Sequence, residues 1–170
     1  PTAGRPLRGT VLMAYAERGN PDGRAFINLQ KCSGVRDLAV WYPEQDAENI
    51  VPYPFCIQQL GGDNATVCNV TLVNPYQGIL IGNHSELHYI HQIYGSPLAV
   101  GLEVDFVSDS GRVDQVAFNP DFWSESGLPG APRVNGPHAA WMKQHGIALL
   151  DRRYEWIYSA DVDVRGYMTG

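Results

Sequence analysis

The sequence predicts a mainly β protein, an antiparallel sandwich or compact barrel with one short helix, folded as a single domain over residues 1–170. Three observations predict it. Short alternating or β-branched runs dominate the chain, and turn residues separate them, with 18 glycines and 12 prolines. A length of 170 residues suffices for one sizeable core and is short for two domains. The apolar fraction of 44% and charged fraction of 18% are those of a folded chain.

Nine stretches have the composition or alternation typical of strands: 10–16, 25–30, 36–42, 53–59, 65–73, 78–81, 98–107, 112–119 and 154–164. Turn signals lie at 19–23, 61–63 and 109–111, where glycine supplies positive φ and Asp or Asn accepts local hydrogen bonds. We see no internal repeat.

The turn at 109–111 predicts a hairpin with a three-residue loop. Its register turns Glu103 and Asp105 to the outer face. The same register places five apolar residues on the core face: Leu102, Val104, Phe106, Val116 and Phe118.

A second hairpin is predicted at 61–63, where a three-residue loop would place Cys56 opposite Cys68 at a spacing that allows a disulfide. This register also points Cys68, Val70 and Leu72 inward and Asn69 and Thr71 outward. A two-residue loop would offset the cysteines and leave two buried thiols. Cys32 then remains as a free thiol or as a link to another chain in an oligomer.

The proline- and glycine-rich segment 120–137 predicts a long irregular loop. The segment 138–150 after it is the best helical candidate, although Gly146 interrupts it.

Charge and hydropathy exclude some partners. The formal net charge is −6, and Arg152-Arg153 is the one pair of adjacent basic residues, so a nucleic-acid partner is not expected. Apolar runs fall short of the roughly 20 residues that a membrane-spanning helix needs.

Three N-x-[ST] sequons begin at Asn64, Asn69 and Asn83, within 22 residues of sequence. Such a cluster indicates an N-glycosylated protein that is secreted or extracellular, although chance in a region rich in Asn, Thr and Ser is the alternative.

The stretch 82–95 contains His84, Glu86, His88 and His91. A helix would bring the three histidines to one face and could present them to a divalent metal ion. A strand, which the neighbouring tyrosines and isoleucines favour, would leave His84, Glu86 and His88 on one face and His91 on the other. Polar histidines that serve packing or recognition are the main alternative to a metal site, and no other cofactor is expected.

Aromatic residues support a binding module. Trp123 lies in the irregular segment and is expected to be exposed, so we name it with Tyr89 and Tyr94 as ligand-binding candidates. The favoured function is recognition of a glycan or an extracellular protein, as a domain or as part of a larger surface glycoprotein.

The alternative function is a secreted enzyme. It would depend on a metal at the histidine cluster, or it would be a hydrolase with Glu103 and Asp105 as its two carboxyl groups. The residues do not decide between an enzyme and a binding module, and they do not identify a ligand.

Overall fold

The computed structural model describes residues 8–170. Their strands and helices are, in chain order, β1 (Val11–Met13), β2 (Ile27–Asn28), β3 (Gly34–Trp41), β4 (Phe55–Asp63), β5 (Thr66–Leu72), β6 (Gln77–Glu86), β7 (Tyr89–Gly95), β8 (Val100–Val107), β9 (Gly111–Phe118), α1 (Asp121–Ser124), α2 (Pro137–His145), β10 (Ile147–Asp151) and β11 (Ile157–Val164). None of the helices in this part of the chain is long and apolar enough to cross a membrane.

The strands form two sheets in which every pairing between the named strands is parallel. Sheet A has the order β1-β3-β5-β7-β9-β11, and sheet B has the order β10-β8-β6-β4-β2. The prediction of mainly β structure is confirmed. The predicted antiparallel sandwich or barrel is wrong, because consecutive strands lie in opposite sheets and each pairs with the strand two places further along.

This connectivity winds the chain into a parallel β-solenoid. Thr66 pairs with Tyr89, and Tyr89 pairs with Arg112, so two successive coils each take 23 residues. The next coil takes 46 residues, since Arg112 pairs with Tyr158. Its extra length carries α1 and α2 as an insertion on the outside of the solenoid.

A column of left-handed residues bends the sheet A strands. The register aligns Asp37, Asn69, Gln92, Gln115 and Asp161, one in each strand from β3 to β11, with φ between 51° and 58°. Asn and Asp are among the few non-glycine residues that tolerate this conformation well. Because the bend interrupts strict alternation, the residue two before it and the residue after it both point inward, as Val67 and Val70 do.

The bend explains an internal repeat that the sequence analysis missed. Four strands carry a four-residue pattern of apolar, variable, Asp/Asn/Gln and apolar residues: Val35-Arg36-Asp37-Leu38, Val67-Cys68-Asn69-Val70, Ile90-His91-Gln92-Ile93 and Val113-Asp114-Gln115-Val116. The finding that the chain has no repeat is therefore wrong.

The core fills the space between the sheets. Inward side chains stack in columns through successive coils, such as Val67, Ile90 and Val113 from sheet A, and all three are at most 3% exposed. Full burial of one such side chain contributes about 1.5–3 kcal/mol to stability. A second apolar cluster attaches the insertion to the outside of sheet A through Trp41, Val73, Leu98, Trp123 and Met142.

The first predicted hairpin is wrong because β8 and β9 lie in different sheets. Four of its five core residues are nevertheless buried: Leu102, Val104, Val116 and Phe118. Phe106 is 42% exposed because it adopts φ 60° at a bend of β8, which turns its side chain outward.

The second predicted hairpin and its disulfide are also wrong. Cys56 is fully buried inside sheet B, whereas Cys68 lies on the outer side of sheet A, and all three cysteines are free. The bend at Asn69 turns Cys68 outward while Val70 and Leu72 point inward as expected. Burial raises the pKa of the Cys56 thiol to about 12.

The predicted loop and helix need new boundaries. The segment 120–137 contains the short helix Asp121–Ser124, and the following helix spans Pro137–His145. Beyond Gly146 the chain forms the strand Ile147–Asp151, whose parallel pairing with β8 overrides the weak helical pattern.

Candidate functional site

The outer side of sheet A presents two columns of side chains from the first halves of β5, β7, β9 and β11. The register aligns one column as Thr66, Tyr89, Arg112 and Tyr158, and the neighbouring column as Cys68, His91, Asp114 and Ala160. We call these eight residues the Tyr89 facet. Adjacent residues in each column are about 4.8 Å apart, which is the spacing of paired strands.

Two aromatic rings of the facet are open to solvent. Tyr89 is 36% exposed and stacks on His91, with ring centroids 5.3 Å apart and planes 11° from parallel. Tyr158 is 62% exposed and lies beside Arg112. Arg112 stands between the two tyrosines in the column, so their backbones are about 10 Å apart.

An imidazole–carboxylate pair lies next to the aromatic column. His91 Nδ1 is 3.1 Å from Asp114 Oδ2, and both side chains are mostly shielded from solvent. An open cavity of about 550 Å³ adjoins Asp114 and is also lined by Arg112, Tyr158 and Ser159. The facet can therefore stack on a flat ring and offer both donors and acceptors to hydroxyl groups.

The predicted histidine cluster is dispersed. His84 lies outside against Phe106, with ring centroids 4.0 Å apart, whereas His88 is inside the solenoid and His91 belongs to the Tyr89 facet. The strand alternative is the observed one, in β6 and β7. Glu86 accepts a hydrogen bond of 2.8 Å from Ser108. Residues 8–170 contain no group of three or more His, Cys, Asp or Glu side chains that could hold a metal ion.

His88 is a buried histidine without a partner. It is 2% exposed, and neither ring nitrogen makes a hydrogen bond to the described residues. Its ring lies so close to Gly111 that a β-carbon there would collide with it. Burial lowers the pKa of His88 to about 4, so the ring is neutral at physiological pH.

Glu103 and Asp105 point outward, as the sequence analysis expected, but each is held by an arginine. Glu103 Oε1 is 2.9 Å from Arg152 Nε, and Asp105 accepts two hydrogen bonds of 2.9 Å from Arg153. The hydrogen bond from Arg153 lowers the pKa of Asp105. This pair does not supply the protonated carboxyl group that glycoside hydrolysis needs.

The other two aromatic candidates lie elsewhere. Trp123 is 1% exposed, contrary to the expected exposure, because the insertion folds back over it and its backbone nitrogen donates to Ser96 Oγ at 2.9 Å. Tyr94 is partly buried and packs against Phe122. Arg112, Asp114 and Tyr158 were missed by the sequence analysis. The 23-residue spacing from Tyr89 to Arg112 and from His91 to Asp114 is the signal that would have found two of them.

The three sequon asparagines share two properties. Asn64, Asn69 and Asn83 are all exposed, and all have positive φ, at 58°, 52° and 56°. Their conformation gives a structural reason for asparagine at each bend, while their exposure leaves each side chain accessible to a modifying enzyme.

A serine–histidine contact occurs in the insertion. Ser124 Oγ is 3.1 Å from His138 Nε2, but the same nitrogen is 3.2 Å from the Pro120 carbonyl oxygen. A carbonyl oxygen only accepts, so Nε2 carries the hydrogen and is not free to take a proton from Ser124. The contact ties the two helices of the insertion together.

Comparisons with known proteins bring no relative to this site: no protein-family model matches the chain, and no significant match was found among curated proteins or solved structures.

Proposed function

We propose that this chain is a carbohydrate-recognition solenoid that binds a glycan on the Tyr89 facet. The observation that carries the proposal is the placement of two exposed tyrosine rings, Tyr89 and Tyr158, on either side of Arg112 in one column. The dispersed histidines and the arginine-bound carboxylates give no comparable support to an enzyme.

The chemistry of the facet suits a sugar chain. A pyranose ring has apolar C–H faces that stack on aromatic rings, and its hydroxyl groups both donate and accept hydrogen bonds. Arg112 supplies donors, and the His91–Asp114 pair supplies an acceptor carboxylate held in place by the imidazole. Because the rings repeat across the strands, the glycan would run along the axis of the solenoid.

The test is binding to a panel of soluble neutral and acidic polysaccharides, measured by affinity electrophoresis and then by calorimetry. Tyr89→Ala and Tyr158→Ala are each expected to weaken binding about tenfold, through the loss of ring stacking and buried area. Tyr15→Ala is the matched control, since Tyr15 is 50% exposed and lies outside the facet. Equal losses in all three variants, or binding by none of the proteins, would overturn the proposal.

We also propose that the protein is secreted and carries N-glycans at Asn64, Asn69 and Asn83. The exposure of all three side chains supports this. Expression through a eukaryotic secretory pathway should give a mass above that of the bare chain, and treatment with an N-glycosidase should remove the excess. An unmodified mass from that pathway would contradict the proposal.

A further inference from the structure

A second polar cavity lies between the helical insertion and the last coil of the solenoid, away from the Tyr89 facet. It has a volume of about 390 Å³, within the range of small-ligand sites. Its wall combines small residues with charged and amide groups: Asn119, Pro120, Asp121, Asn135, Ala139, Ala140, Lys143, Arg165 and Gly166. We call it the Lys143 cavity.

The deepest polar group of this cavity has spare capacity. Asn119 is 4% exposed, and its Oδ1 accepts a hydrogen bond of 3.0 Å from the Asp121 backbone. The Nδ2 group of Asn119 has no hydrogen-bond partner among residues 8–170. A buried amide donor in a cavity wall without a protein partner favours a ligand acceptor at that position.

The charges of the cavity define the ligand further. Lys143 and Arg165 bring two positive charges, and Asp121 brings one negative charge. Arg165 also contacts Asp163 at 3.2 Å, but both side chains are exposed, and such a pair is weak enough to be exchanged for another carboxylate. A local excess of one positive charge on a chain of net charge −6 favours a monoanion.

We propose that the Lys143 cavity binds a monosaccharide-sized, hydroxylated carboxylate, the chemistry of a uronic acid. Lys143 and Arg165 hold the carboxylate, since a planar guanidinium matches its geometry. Asp121 accepts hydrogen bonds from hydroxyl groups, and Asn119 donates to a ring or hydroxyl oxygen. A phosphate dianion fits less well because Asp121 would repel it.

The test is a titration of the ¹⁵N-labelled protein with D-glucuronate, with D-glucose and inorganic phosphate as comparison ligands, followed by NMR. Saturable shifts are expected at the backbone amides of Ala140 and Gly166 and at the side-chain amide of Asn119. Lys143→Gln and Arg165→Gln should each weaken glucuronate binding about tenfold. Arg24→Gln is the matched control, because Arg24 is exposed and does not line the cavity.

The outcomes separate this inference from the proposed function. A Tyr89→Ala/Tyr158→Ala protein should bind glucuronate as the unmodified protein does, even where its polysaccharide binding is lost. Glucose or phosphate binding as tight as glucuronate would overturn the assignment of the ligand class. An absence of saturable shifts, or an equal loss in Arg24→Gln, would overturn the site itself.

Discussion

Acid should destabilise this protein through one residue, His88. The ring is almost fully buried and makes no hydrogen bond to the described residues, and burial lowers its pKa from 6.5 to about 4. A proton therefore binds the unfolded chain more tightly than the folded one. The contribution of His88 is fully favourable above pH 6.5 and is lost as the pH falls toward 4.

The size of the effect follows from linkage. With pKa values of about 6.5 unfolded and about 4 folded, His88 costs about 1.4 kcal/mol at pH 5.5 and about 2.5 kcal/mol at pH 4.5. The penalty approaches about 3 kcal/mol at lower pH. This is a large share of the 5–15 kcal/mol that is typical of the free energy of unfolding of a domain.

Urea unfolding at pH 7.5 and pH 4.5 measures this term when the protein is compared with His88→Phe. Phenylalanine keeps a ring in the space beside Gly111 but cannot be protonated, so the variant should lose about 2.5 kcal/mol less on acidification. Carboxylates that titrate in the same range are common to both proteins and cancel in the comparison. His145→Gln is the control, because His145 is exposed on α2, and it should behave like the unmodified protein. If His88→Phe lost as much stability as the unmodified protein, the assignment of a depressed His88 pKa would be refuted.

Two further predictions concern the bends and the thiols. Gln92→Val places a β-branched residue at φ 56° and should lower the free energy of unfolding by about 1–2 kcal/mol, whereas Gln92→Asn should not; equal stability of the two variants by urea unfolding would contradict the left-handed bend. Under native conditions a thiol-reactive dye should label Cys32 rapidly and Cys56 only after unfolding, with three thiols per chain in denaturant, whereas a count of one would restore the disulfide.

The sequence predicted local properties better than connections. Alternation identified most strands and the burial of Leu102, Val104, Val116 and Phe118. It did not identify strand partners, because a turn such as 109–111 suits a hairpin and also suits the corner of a coil. Only the register, which pairs β7 with β9 instead of β8 with β9, distinguishes the two.

The repeat was hidden for a physical reason. A left-handed residue at each bend shifts the inward positions from a spacing of two residues to a spacing of three, as between Val67 and Val70. This spacing resembles neither a regular strand nor a long helix. In addition, the coil lengths vary, since insertions lengthen the first and last coils.

The candidate site shows the same division. Tyr89 could be named from the sequence as an exposed aromatic candidate, but its neighbours Arg112 and Tyr158 are 23 and 69 residues away along the chain. Trp123 appeared exposed in a polar segment, and the insertion buried it.

The sequence by itself determined that the chain is β-rich, that its apolar residues form a core, and that asparagines occupy conformationally special positions. These properties depend on neighbours within a few residues, which local composition records. The tertiary structure alone decided that the strands run parallel, that His88 is inside while His91 is outside, and that tyrosines from different coils share one column. Those outcomes depend on how many residues complete one coil, a distance that no short stretch of sequence contains.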